Sequence, residues 1–139
     1  MAPIEFICLL QLAVVAIVMA LIPVIGKIQT WGLRRVVAHP TPGDAPLPAW
    51  VLRAERAHLN LMENLVPFAI IVAGTMFGIS NETTQLGAEV FVVARLVQAV
   101  VHIFGIPWVR TAAFFVSIGA EIAMLAEMGV PYLPTLFLH

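Results

Sequence analysis

The chain has 139 residues, 61% of them hydrophobic and only 11% charged, with a net charge of -1 at pH 7. Soluble domains carry about 25% charged residues, so this composition, with a mean hydropathy of +1.00, excludes a soluble globular protein in favour of an integral membrane protein. The balanced charge offers no basic surface for nucleic acid and no acidic tail, and the length fits one domain over residues 1–139.

Four apolar segments follow one another, each near the roughly 20 residues that cross a bilayer as a helix. The first runs from about Ile4 to Ile25. Glu5 stands where a cleavable signal would have a basic region, so this segment reads as a retained helix. Cys8 lies in it and is the single cysteine, which leaves no intrachain disulfide; it reads as an inert core or lipid-facing thiol. Residues 27–50 form a polar loop, and Pro40, Pro42, Pro46 and Pro48 predict an extended course. The second segment is densest from Leu65 to Ile79, with a polar extension back to Trp50. Ser80 to Gln85 is a short loop without a basic residue. The third segment covers about Leu86 to Phe104 and ends at the Gly105-Ile106-Pro107 turn. The fourth covers about Thr111 to Met128, ends at Gly129-Val130-Pro131, and is followed by a short apolar tail from Tyr132 to His139. Spanning helices satisfy their own backbone groups, so the expected fold class is an all-α four-helix transmembrane bundle.

Lys27, Arg34, Arg35, Arg53, Arg56 and Arg110 belong to the first and third loops and their flanks. The second loop carries only Glu82 and Glu89. The positive-inside rule makes the first and third loops cytoplasmic and puts both termini on the opposite side.

Polar residues inside the apolar segments carry the functional signal, because ionised groups at membrane depth are costly. On the second segment Arg56, Asn60, Glu63 and Pro67 fall at i, i+4, i+7 and i+11, one helical face, with His58 and Asn64 beside it. On the third, Arg95, Gln98 and His102 fall at i, i+3 and i+7. Arg53 and Glu55 read as interfacial residues whose stems snorkel to the headgroups. Arg95 stands among apolar neighbours and is expected to pair with Glu63 or Glu121. Met19, Met62, Met76, Met124 and Met128 read as filler, and no His or Cys spacing forms a metal motif. Planar guanidinium forks, amides and a carboxylate together suit a small zwitterionic ligand with several carboxylates, such as a peptide.

Arg56-Ala57-His58-x-Asn60-x-x-Glu63-x-x-x-Pro67, then Ala94-Arg95 and then Arg110 after the third turn, resembles the MAPEG family, the membrane-associated proteins in eicosanoid and glutathione metabolism, in a bacterial-type member. The resemblance covers nearly the whole chain. It implies a homotrimer with glutathione between subunits near the cytoplasmic side. It implies that Arg56, Asn60 and Glu63 hold the peptide's carboxylates and amine, with His58, Asn64, Arg95, Gln98 and His102 completing the binding set. Arg110 would stabilise the thiolate, with Thr111 as its catalytic neighbour. The sequence departs from the family pattern at Gln98, where members commonly have Tyr or His, at His102, where they commonly have Tyr, at Phe114, where some have Tyr, and near Trp31, where some have a basic residue.

Three functions are weighed. The first is a glutathione-dependent transferase or peroxidase acting on lipophilic electrophiles, carried by the stripe with Arg110. The second is a non-catalytic lipid-binding or scaffold protein of the same fold, favoured by Gln98, His102 and Phe114. The third, a small transporter or channel subunit, rests only on the buried charges. The implied partners are other copies of the chain and lipids or lipophilic small molecules, with no nucleic acid.

Overall fold

The computed structural model describes residues 2–38, 41 and 43–129. Its long helices are α1 (Ile4–Trp31), α3 (Ala49–Gly74), α4 (Glu82–Phe104) and α5 (Pro107–Gly129), with a short helix α2 (Leu33–Val37) after the first. The four long helices are each long and apolar enough to cross a membrane. They match the four apolar segments, extended at their polar ends, except that the second segment, expected to run to Ile79, leaves regular helix at Gly74 and finishes in a wider turn over Thr75–Ile79 with Gly78 at φ +95°. The expected apolar tail from Tyr132 to His139 lies outside the described residues.

The helices pack as an antiparallel bundle in which α4 is the most enclosed, with 44% of its span buried against 28% for each of the others. Phe68 of α3 stacks on Phe91 of α4, ring centroids 4.2 Å apart and nearly parallel. Leu12, Val72, Ala88 and Met124 fill the space around them. Lipid tails are as apolar as a leucine side chain, so close approach of small residues holds such helices together. Ala113, Ser117, Ala120 and Met124 form the buried stripe of α5. Gly87 of α4 lets it come close: a Cβ there would lie 2.5 Å from Met124 Cγ.

The two ends of the bundle are closed differently. At the acidic end Asn81 caps α4 with a capping box through Thr84. Fully buried Glu5 of α1 accepts hydrogen bonds from Ser80 Oγ (2.9 Å) and Thr84 Oγ1 (2.6 Å). At the basic end Lys27 of α1 pairs with Glu55 of α3 at 2.8 Å.

The connection after α1 differs from the extended loop expected. Helix continues to Trp31, breaks at Gly32 (φ +79°) and resumes as α2. The prolines that enforce extension start only at position 40, so nothing before them forbids helix. Trp31 Nε1 donates to Ala45 O at 2.6 Å, and Arg35 bonds both carboxylate oxygens of Asp44.

Arg53 also has a more specific role than the interfacial one expected. The α4–α5 turn is a Schellman ending: Gly105 takes φ +78°, its N–H bonds His102 O (3.1 Å), and Ile106 N–H bonds Val101 O (2.9 Å). Arg53 Nε then donates to Ile103 O at 2.7 Å, so three successive carbonyls at the end of α4 are satisfied. This tight turn sets Arg110, in the first turn of α5, close to the end of α4.

Two outcomes follow from these turns. Gly105→Ala forces a side chain into the left-handed region and places its Cβ 3.3 Å from Arg53 Nε. It should lower stability by about 1 kcal/mol, read as a reduced thermal midpoint in detergent. The Arg35 guanidinium holds the Asp44 carboxyl below its ordinary 3.8. A depressed carboxyl contributes order above its unfolded value and loses it as pH falls through the folded one. Corrected hydrogen exchange over Leu33–Val37 should therefore accelerate below about pH 4, in the ordinary aspartate range, and Asp44→Asn should remove that dependence.

Candidate functional site

Near the basic end a pocket of about 280 Å³ opens between α3, α4 and α5, lined by Asn60, Gln98, His102, Arg110, Thr111, Phe114 and Phe115. Five of the ten candidate residues thus meet in one place. Helical spacing explains the set: Gln98 and His102 lie one turn apart on α4, while Arg110 and Phe114, and Thr111 and Phe115, are i, i+4 pairs on α5. The sequence singles out Phe114 only as a departure from the family pattern and does not mark Phe115, although the i+4 spacing from Arg110 and Thr111 carried the signal for both in the wall.

Arg95 lies behind the pocket, 1% exposed. Its Nη1 donates to Asn60 Oδ1 at 3.1 Å and to Gln98 Oε1. Gln98 Nε2 donates to the same Asn60 Oδ1 at 2.7 Å. The guanidinium also lies over the rings of Phe91 and Phe114, 5.2 and 5.6 Å from their centroids. The ion pair expected with Glu63 or Glu121 does not form among the described residues. Asn60 sits one turn nearer on α3 and reaches the guanidinium first, while Glu63 is exposed. Glu121 attracts Arg95 from a longer distance, and its Oε1 and Arg95 Nε and Nη2 are buried without hydrogen-bond partners among the described residues.

This network fixes the polarity of the pocket. Guanidinium has no acceptor, so both amides must turn their oxygens towards Arg95. Asn60 Nδ2 and the second N–H of Gln98 are then the amide groups left to face a ligand. Arg110 is half-buried, and its guanidinium has no side-chain partner among the described residues. Arg53, Arg56 and Arg110 together set a positive field around His102. Donors and cations backed by two aromatic rings make a site for an anionic ligand with an apolar companion.

The remaining candidates stand elsewhere. Arg56 and Glu63 are exposed on the outer face of α3, and His58 is half-buried outside the pocket wall. Asn64 Nδ2 donates to Asn60 O at 2.8 Å within its own helix. The Thr111 hydroxyl donates to Pro107 O at 3.0 Å, which leaves its lone pairs free to accept.

Arg95→Met keeps an apolar stem of similar size but strips the charged donor from two amide oxygens. It should lower stability by about 1–3 kcal/mol, measured as a thermal or denaturant midpoint in detergent.

Comparison with known proteins agrees with this architecture. The family model described as "MAPEG family" matches residues 6–130. Proteins named microsomal glutathione S-transferase 1 from Rattus norvegicus and Bos taurus are each 36% identical over 78 residues, covering 53% of this chain and 49% of theirs. The Homo sapiens protein of that name is 35% identical over the same length and shares. The chain thus aligns with about half the length of these curated relatives.

Proposed function

Since the chain belongs to the MAPEG family, we propose that it is a membrane-bound glutathione-dependent transferase or peroxidase acting on lipophilic electrophiles. The donor-lined pocket carries this reading. Glutathione brings carboxylates, an amine and a thiol, and relatives whose name includes glutathione S-transferase match across about half of their length. Asn60 Nδ2 and the free N–H of Gln98 fit a carboxylate, while Arg110 fits the sulfur.

A guanidinium beside a thiol favours the thiolate, the nucleophilic form. The sulfur attacks the electrophilic carbon, the S–C bond forms, and the leaving group departs with its bonding pair. The thiol proton passes to solvent, with the Thr111 lone pairs positioned to accept a hydrogen bond from the thiol before ionisation. Phe114 and Phe115 give the electrophile an apolar wall.

In the homotrimer of this proposal, exposed Arg56 and Glu63 complete the site across a subunit boundary, and His58 stands close by. The chain is an integral multi-pass membrane protein, and the proposed orientation puts the basic end in the cytoplasm. A second reading, lipid binding without turnover on the same fold, is favoured by Phe114, a ring without a hydroxyl facing the pocket.

Calorimetric titration of the purified protein with glutathione separates these outcomes. Binding is expected, and Asn60→Asp should weaken it at least ten-fold, because a carboxylate replaces the amide donor while still satisfying Arg95. Absence of binding up to millimolar glutathione contradicts the proposal. Turnover of chlorodinitrobenzene should fall about a hundred-fold in Arg110→Ala, the scale for loss of one charge-stabilising donor. Binding with no turnover in the wild type would select the lipid-binding reading.

A further inference from the structure

We propose that the lipid-facing groove between α4 and α5 binds a lipophilic amine, with Glu89 taking its ammonium group. The groove has a volume of about 520 Å³ and shares no lining residue with the pocket near Arg110. Val90, Val93, Val97, Ala112 and Val116 contribute to its walls, and Glu89 is its one charged residue. From Leu86 to Val97 it follows α4 for roughly 16 Å at the helical rise, room for an extended alkyl chain. A second groove, between α1 and α4, shares Glu89 and Val93; Ile4, Ile7 and Val92 line it with one amide, Gln11, which makes no hydrogen bond to Glu89, so largely apolar surface flanks the carboxylate on both sides.

Besides Glu82, three acids have no hydrogen bond or ion pair among the described residues: Glu63 is exposed at the basic end, Glu121 is buried and attracts Arg95, and Glu89 is exposed on the apolar face. Glu5 accepts from Ser80 and Thr84, Glu55 pairs with Lys27, and Glu127 accepts from Asn81 Nδ2 at 3.1 Å. Glu82 lies in the first turn of α4, at the helix start. Glu89 lies two turns deeper, roughly 10 Å further along the axis, exposed, with no hydrogen bond or ion pair to any described residue. An ionised group on an apolar face at that depth needs a complementary partner.

Charge placement selects a ligand over a second copy of the chain. The membrane holds all copies at the same depth. Among the described residues, Lys27, Arg34, Arg35, Arg53, Arg56 and Arg110 lie at the opposite end of the bundle, and Arg95 is 1% exposed. Another copy therefore brings no described lysine or arginine to Glu89. A molecule partitioned into the bilayer, with an ammonium joined directly to an apolar chain, brings both the charge and the surface that the groove requires.

The test is photolabelling in nanodiscs with a diazirine-bearing long-chain alkylamine and the matching alcohol, mapped by peptide mass spectrometry. The amine should label groove residues of α4 and α5 at least ten-fold more than the alcohol. Glu89→Gln should bring the amine down to the level of the alcohol. Val97→Trp, which fills the groove at an exposed position, should abolish labelling with Glu89 intact. Unchanged elution and thermal midpoint establish that both variants are folded, independently of any glutathione binding. Equal labelling by amine and alcohol overturns the proposal, as does amine labelling that survives Glu89→Gln. A wild-type groove left unlabelled because a second copy covers it, seen as crosslinks between copies through α4 and α5, overturns it too.

Discussion

A guanidinium buried at membrane depth must find oxygen, and here Arg95 finds it in two neighbouring amides. That requirement ties α3 to α4 through Asn60 and Gln98, while the stacking of the same guanidinium over Phe114 draws in α5. Because arginine only donates, the amides have one way to face. Their oxygens turn inward, one N–H of Gln98 bonds Asn60 Oδ1, and Asn60 Nδ2 and the second N–H of Gln98 are left for the pocket. A single buried charge therefore both cross-links the bundle and decides that the pocket will favour an acceptor-rich, anionic ligand. The hydrogen bonds of Nη1 and the aromatic faces offset part of the cost of desolvating the charge, while Nε and Nη2 have no hydrogen-bond partner among the described residues.

The rest of the site depends on how the ends of the helices are finished. The left-handed Gly105 and the capping bond from Arg53 let α4 reverse into α5 within two residues. A longer connection would leave Arg110 free to swing towards the headgroups; the tight one sets it beside His102 and the amides. The acidic end is closed by neutral hydroxyls around Glu5 and by the Asn81 cap. The proposed glutathione chemistry thus occupies one end, while the carboxylate of Glu89 stands alone near the other.

Much of this was legible in the sequence. Hydropathy alone marks the four spans, because a spanning helix needs a long apolar run and little else does. The i, i+4 and i, i+3 spacings placed Asn60, Gln98 and His102 on faces that do meet, and the turn after Phe104 placed Arg110 near them. Periodicity does not say which of two acceptors one turn apart a buried arginine will choose, and so the expected carboxylate partner proved to be an amide. It also does not separate an arginine that snorkels from one that caps a neighbouring helix, since both sit at the same height; Arg53 looked interfacial for that reason. The helix at Leu33–Val37 was hidden because the later prolines dominated the reading of the whole loop. Arg56 and Glu63 share the face pattern of Asn60, yet a pattern on one helix does not say how far round that face the neighbouring helices extend.

The central claim is that Arg95 polarises the pocket for anions. Comparing the affinities of glutathione and its diethyl ester by calorimetry, in the wild-type protein, tests it most directly, because the two ligands differ in charge and share the thiol and the peptide frame. The account predicts that the ester binds at least ten-fold more weakly, since the N–H groups of Asn60 and Gln98 and the Arg110 guanidinium lose their charged acceptors. Equal affinity for the two ligands would contradict it.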